Sequence, residues 1–164
     1  MSHELKPGDP APDFEAIAVG GPHAEPTKVR LADLRGTPIV LYFYPKDDTP
    51  GCTVQACAMR DKWEQVRSSG AHIYGVSIDS PESHRKFIDK YQLPFSLLSD
   101  ESQAMVKAYG VWIEKSIYGK KTFGTERSTF CIRPDGTIKS IMRKVKADEH
   151  VDHLLEDFLT KRRD

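Results

Sequence analysis

The chain has little cysteine: three residues, Cys52, Cys57 and Cys131, among 164. So sparse and odd a set is not the even disulfide framework that staples small secreted domains. It also lacks any apolar run of membrane-spanning length. The start, Met1-Ser2-His3-Glu4-Leu5-Lys6, has neither the apolar stretch of a signal peptide nor an Arg/Ser-rich transit composition. A cytoplasmic protein with no membrane partner is therefore expected. An excess of one charge is missing too, because Lys plus Arg equals Asp plus Glu at 24 each. That balance argues against nucleic acid as the main partner. Internal repeats, linkers and low-complexity tracts are also absent.

What is present reads as an ordinary globular chain, 38% hydrophobic and 29% charged. Its length favours one domain with a single core over residues 1–164. Residues 6–30 are rich in Pro and Gly and read as an irregular lead-in with a short hairpin. Residues 38–44 form a continuous apolar run that fits a strand buried on both faces. Pro45 stops it, and Thr49-Pro50-Gly51 makes a turn. A helix is expected from about Cys52 to Val66, with Cys52, Ala56, Met59, Trp63 and Val66 on one stripe. A second buried strand covers residues 73–78. Ser80 and Pro81 then give an N-cap and an N1 proline for a helix running to about Tyr91.

Residues 95–98 read as a short strand. Asp100 and Gln103 suggest a capping box for a helix that ends near Gly110. Residues 114–126 read as a polar loop. Two strands at 128–132 and 137–142 are joined by Pro134-Asp135-Gly136, a turn signal. Val151, Leu154, Leu155, Phe158 and Leu159 mark a closing amphipathic helix that ends in Lys161-Arg162-Arg163. The expected fold class is α/β: a central mixed β-sheet flanked by helices, parallel in part and antiparallel at the hairpin edge.

In that order of elements, Cys52 lies just past the carboxyl end of the first buried strand, in the first turn of the next helix. Sheets with parallel strands place ligand sites there. The free N–H groups and the dipole of a helix start stabilise an anion, so the place suits a reactive thiolate. Thr49 offers a hydroxyl three residues earlier, and Pro45 and Pro50 stiffen the loop. The bland alternative is that Cys52 is a small buried apolar residue.

Cys57 follows with four residues between. In one regular helix the two Cα atoms stand ~8.6 Å apart and about 140° apart around the axis. A disulfide needs roughly 4.4 to 6.8 Å. Either the pair never bonds, or the first turns unwind when it does. The spacing does not match a C-x-x-C exchange motif. A zinc site would need more ligands nearby, and the closest histidine in sequence is His72.

The segment from Phe43 to Thr53 resembles the active-site loop of the peroxiredoxins. It contains their P-x-x-x-T-x-x-C pattern as Pro45, Thr49 and Cys52. The T-P-G-C-T core together with Cys57 resembles the peroxiredoxin Q group, also called bacterioferritin comigratory protein. The likeness extends over nearly the whole chain, through Gly8-Asp9-Pro10-Ala11-Pro12-Asp13-Phe14, Arg60-Asp61, Phe95-Ser96-Leu97-Leu98-Ser99-Asp100 and Tyr109-Gly110-Val111-Trp112.

The resemblance implies a thioredoxin-like fold and a thiol peroxidase acting on hydrogen peroxide and organic hydroperoxides. It implies Cys52 as the peroxidatic cysteine, with Thr49 hydrogen-bonding thiolate and peroxide and Pro45 shaping and shielding the pocket. Arg127, just before a late strand, matches the place of the family's active-site arginine. Cys57 is implied as the resolving cysteine, attacking the sulfenic acid to form an intramolecular disulfide. Thioredoxin, or alternatively glutaredoxin, is the implied reductant. No metal, haem or flavin is needed, and a monomer is implied.

Other signals have simpler readings. Cys131 alternates with Phe130 and Ile132 and reads as buried filler. His84 falls on a helix face with Phe87, Ile88 and Tyr91, where packing explains it. His150 and His153 read as a solvated helix start, and Lys115 to Lys121 as a solvated loop. A redox-sensing or holdase-type module that uses the same thiols as a switch is the competing function. A protein thiol–disulfide oxidoreductase is disfavoured by the missing C-x-x-C.

Overall fold

The computed structural model of the chain describes residues 4–156. Two hydrophobic strands form its centre: β3 (Ile39–Phe43) and β4 (His72–Ser77), paired in parallel from Ile39 beside His72 to Phe43 beside Val76. β5 (Ser96–Ser99) extends the sheet in parallel beyond β4. β1 (Glu15–Gly20) and β2 (His23–Arg30) form an antiparallel hairpin on that side. On the other side, β8 (Ser128–Ile132) pairs antiparallel with β3, and β9 (Ile138–Met142) pairs antiparallel with β8 at the edge of the sheet. The order is β2-β1-β5-β4-β3-β8-β9, a mixed seven-stranded sheet.

Alternation along β3 divides the core into two layers. Val40, Tyr42 and the following Tyr44 join one cluster; Ile39, Leu41 and Phe43 join the other. Helix α1 (Pro50–Asp61) makes the β3-to-β4 crossover, and α3 (Pro81–Tyr91) makes the β4-to-β5 crossover. Parallel crossovers of one hand place both helices on one face. Ala56 and Met59 of α1 accordingly share the first cluster with Phe87 and Ile88 of α3. Short α5 (His150–Leu154) adds Val151 and Leu154 to that layer. Short α4 (Ala104–Ala108) places Met105 and Val106 in the opposite one. Phe158, Leu159 and the basic end Lys161-Arg162-Arg163 lie outside the described residues.

Three local expectations need correction. The helix expected over 52–66 begins at Pro50 and breaks at Lys62, where φ −107° and ψ 21° leave the helical region. The segment resumes as α2 (Trp63–Arg67). The capping box at Asp100 takes another form. Gln103 is in the left-handed region at φ 67°, and the Asp100 carboxylate accepts from the Met105 and Val106 N–H groups at 3.1 and 2.9 Å. Residues 114–126 are not a loop but mostly a hairpin, β6 (Trp112–Ile117) and β7 (Lys120–Thr125). Its two-residue turn, Tyr118-Gly119, has φ of 52° and 79°. Positive φ at both central positions is the hairpin turn that matches strand twist. The polar composition hid a ribbon that stands outside the main sheet.

Gly75 in β4 lets the backbone lie close against Tyr42 and Leu97. A Cβ there would lie 2.7 Å from Leu97 Cδ2 and 2.8 Å from Tyr42 Cζ. Gly75→Ala is expected to destabilise the fold by about 1–3 kcal/mol through overpacking. Urea unfolding checks this, and an unchanged midpoint would mean that the Tyr42 ring moves aside at no cost.

Candidate active site

Helix α1 starts at the carboxyl end of β3. Thr49 is its N-cap residue, with extended backbone (φ −91°, ψ 157°), and Pro50 occupies N1. The first helical hydrogen bond runs from the Thr53 N–H to the Thr49 carbonyl at 2.8 Å. The Gly51 and Cys52 N–H groups lie before it, in the turn that has no intrahelical acceptors. Cys52 shares the buried face of α1 with Gln55, Ala56 and Met59, at helical spacings of three, four and seven. It is 2% exposed.

Arg127 arrives from the other side of β3. The antiparallel register sets Ser128 beside Phe43, so the preceding residue stands opposite the loop that follows β3. Its guanidinium places Nη1 and Nη2 each 3.6 Å from the Cys52 Sγ. Nη1 also donates to Gln55 Oε1 at 2.6 Å. Gly51 permits this approach, since a Cβ there would sit 3.0 Å from Nη2. The strand entrance is fixed on both sides of Arg127. The Arg127 carbonyl accepts from the Val145 N–H at 2.9 Å. Buried Glu126 accepts from the Ser128 hydroxyl at 2.7 Å and pairs with Arg143 at 3.0 Å. A fixed cationic fork on a buried sulfur stabilises negative charge there.

Cys52 and Arg127 are thus brought together, with Pro45 half-buried in the connecting loop. The Thr49 hydroxyl donates to the Lys46 carbonyl at 2.8 Å. Cys57 is half-buried on the same unbroken helix, and all three cysteines are thiols. Cys131 is fully buried in β8, as its alternation implied.

Gln55 escaped the sequence reading. Its signal was a polar residue three positions after Cys52, on an otherwise apolar stripe. Two histidines need correction. His84 is not simply packed: Nδ1 lies 2.6 Å from Asp47 Oδ2 and Nε2 lies 2.9 Å from the Leu98 carbonyl. His150 is not solvated but fully buried, with Nε2 2.8 Å from Thr129 Oγ1 and its ring 5.4 Å from that of Tyr42. His153 fits the solvated reading, half-exposed beside Glu149. The Tyr42 hydroxyl, Gln55 Nε2 and His150 Nδ1 are buried with no hydrogen-bond partner among the described residues. A cavity of about 310 Å³ lined by Trp63, His72, Ile73 and Phe95 lies at the start of β4. Because β3 and β4 are parallel, that is the end of the sheet away from Cys52.

Burial, with Arg127 and His153 nearby, pushes the His150 pKa down from 6.5 to about 3. The folded state therefore keeps His150 neutral while the unfolded chain takes up a proton below about 6.5. The associated stability is present above that pH and is lost as pH falls toward 3. Between pH 7 and 5 the loss amounts to about 2 kcal/mol. His150→Phe is expected to remove most of this acid dependence, as measured by urea unfolding at both pH values. An identical pH slope in the variant would contradict the assignment.

Residues 7–141 match the AhpC/TSA family. The chain is similar to peroxiredoxin Bcp of Bacillus subtilis, 47% identical over 149 residues that cover 91% of this chain and 92% of the relative. It is similar to peroxiredoxin Bcp of Escherichia coli K12, 41% identical over 151 residues, 92% and 94% of the two chains. Among solved structures it resembles Xanthomonas campestris peroxiredoxin Q, with TM-score 0.83, 37% identity and 92% coverage of both chains. It also resembles the Xanthomonas campestris bacterioferritin comigratory protein described for alkyl peroxide reduction activity, with TM-score 0.81, 37% identity and 90% coverage of both chains.

Proposed function

The chain belongs to the AhpC/TSA family and is a peroxiredoxin of the peroxiredoxin Q/Bcp kind, a thiol peroxidase; on that premise we propose that Cys52 is the cysteine that attacks the peroxide. The observation that carries this assignment is the Arg127 fork, both of whose nitrogens lie 3.6 Å from the Cys52 sulfur at the start of α1.

In the proposed reaction, the Cys52 thiolate attacks the terminal oxygen of a hydroperoxide and the O–O bond breaks. Sulfur gives up two electrons and becomes a sulfenic acid, and the leaving oxygen takes a proton and departs as alcohol or water. Arg127 stabilises negative charge on sulfur and then on the oxygens in flight. Gln55 orients Arg127 through the 2.6 Å bond. Pro45 and Thr49 set the course of the loop, and the Thr49 bond to Lys46 holds the N-cap. Hydrogen peroxide and organic hydroperoxides are the proposed substrates, the latter in keeping with the alkyl peroxide activity of the Xanthomonas campestris relative.

Cys57 is the proposed resolving residue. Its thiolate attacks the Cys52 sulfenic sulfur, an S–S bond forms, and hydroxide leaves as water. Both cysteines lie within α1, so the geometric conflict between helix and disulfide applies in full. The start of α1 must open. Net losses of about 0.5–1.5 kcal/mol per neutral hydrogen bond and about 1.5–3 kcal/mol for charged ones make this a matter of several kcal/mol. A dithiol reductant of the thioredoxin type then restores both thiols by exchange, and its need for a reducing compartment favours the cytoplasm. Action as a single-domain monomer is part of this proposal, as the family resemblance implies. No helix among the described residues is long and apolar enough to cross a membrane.

Cys52→Ser is expected to abolish steady-state consumption of hydrogen peroxide with a thioredoxin system, and full activity in that variant would refute the assignment. Mass mapping after one equivalent of peroxide is expected to recover a Cys52–Cys57 disulfide. Oxidation without efficient turnover would favour the redox-switch reading instead.

A further inference from the structure

The disulfide step raises the question of what stops the opening of α1 from spreading. On its amino-terminal side the loop is tied to α3 at two consecutive residues. The Asp47 carboxylate, almost fully buried, accepts from the Tyr44 hydroxyl at 2.6 Å, the Ser83 hydroxyl at 2.8 Å and His84 Nδ1 at 2.6 Å. The Asp47 N–H donates to Asp79 Oδ2 at 2.8 Å, an oxygen that also accepts from the Ser77 hydroxyl. His84 faces a carbonyl with its other nitrogen, so Nε2 carries a hydrogen toward Leu98. Asp48, at a φ of 58°, pairs with Lys90 and accepts from the Tyr91 hydroxyl, both at 2.8 Å. On the carboxyl side, Arg60 Nη1 donates to the Tyr91 carbonyl at 2.7 Å.

Helix α3 therefore grips the chain before and after the reactive segment. Cys52 and Cys57 both lie between the grips. The grouping of Asp47, Asp79 and His84 also has the composition of a metal site. The 2.6 Å separation of Nδ1 and Oδ2 is a hydrogen bond. Zinc ligands in a tetrahedral site stand about 3.3 Å apart. The cluster is a polar latch.

We propose that Asp47, held by Ser83 and His84 of α3, is a positioning residue that pins the loop before α1, so that opening for the disulfide is confined between Asp48 and Arg60 and the wound start re-forms in place. The inference rests on Cys52 and Cys57 as the reacting pair. A loop without the latch would leave the α1 start frayed. Peroxide attack, which needs the wound start, would slow, while disulfide closure, which needs the opened one, would not.

The test is rapid-quench oxidation of the full chain with hydrogen peroxide, followed by thiol alkylation and mass mapping. It reads two rate constants: second-order loss of the Cys52 thiol, and first-order conversion of the Cys52 sulfenic acid to the Cys52–Cys57 disulfide. Asp47→Ala is expected to slow the first about tenfold or more and to leave the second equal or faster. Asp47→Asn is expected to stay within about twofold of the parent protein, because its amide oxygen still accepts from Tyr44 and its amide nitrogen donates to His84 Nδ1 once that nitrogen has given up the hydrogen it presented to the carboxylate. A general loss of stability would not divide the two rates in this way. Should Asp47→Ala fold poorly, the double variant Asp47→Ala/His84→Leu removes the buried carboxylate and the buried imidazole together, so neither ionisable group is left facing an empty site; the same division of rates is expected of it. Unchanged Cys52 oxidation in these variants, or both steps slowed equally, would overturn the latch while leaving the nucleophile assignment standing. Oxidation of another thiol first in the parent protein would overturn that assignment and the latch with it.

Discussion

The guanidinium of Arg127 and the thiol of Cys52 are 75 residues apart in sequence and meet at 3.6 Å. Most of the architecture serves that meeting. The antiparallel pairing of β8 with β3 delivers Arg127 to the end of β3. The β3–α1 turn delivers Cys52 to the same place, with Gly51 leaving room and Gln55 holding one guanidinium nitrogen. Glu126 and the Val145 N–H fix the approach of the arginine from behind. In the proposed reaction, a cation held this firmly need not reorganise as charge moves from sulfur to oxygen, which is the condition for effective electrostatic catalysis.

The same contact imposes a constraint on the proposed cycle. The wound start of α1 places Cys52 beneath Arg127, yet a wound helix keeps Cys57 out of bonding range. Two chemical steps therefore ask for two conformations of one segment. The sequence around it has the grading such a segment requires. Its buried face contributes Cys52, Gln55, Ala56 and Met59, while Val54 is exposed and Cys57 only half-buried. Its flanks are bound to α3 through Asp47, Asp48 and Arg60. Local opening draws on the least protected elements of a fold, and these flanks set where that element ends.

Much of this was legible in the chain alone. The apolar run at 38–44, the Pro-Gly turn and the stripe on α1 fixed the strand-to-helix junction and the place of Cys52. Local chemistry also located α3, since Ser80 caps it by accepting from the Ser83 N–H at 3.1 Å. What could not be read were contacts across elements. Gln55 looks like an ordinary helix residue until Arg127 is beside it. His84 shares a periodic apolar face, so its pattern gave packing and concealed the bond to Asp47, 37 positions away. His150 looked solvated because acidic neighbours surround it in sequence, whereas its ring is buried against Tyr42. The 112–125 ribbon leaves no strand signature in the sequence because its strands pair with each other outside the sheet and need no buried alternation.

The central claim is that Cys52 works from a helix start that opens between two fixed points. Amide hydrogen exchange on the reduced and the peroxide-treated protein tests it most directly. The expected result is markedly faster exchange for residues 53–58 after oxidation, with 81–91 as protected as before. Equal protection of 53–58 in both forms would contradict the account, and so would exchange that quickens throughout 81–91.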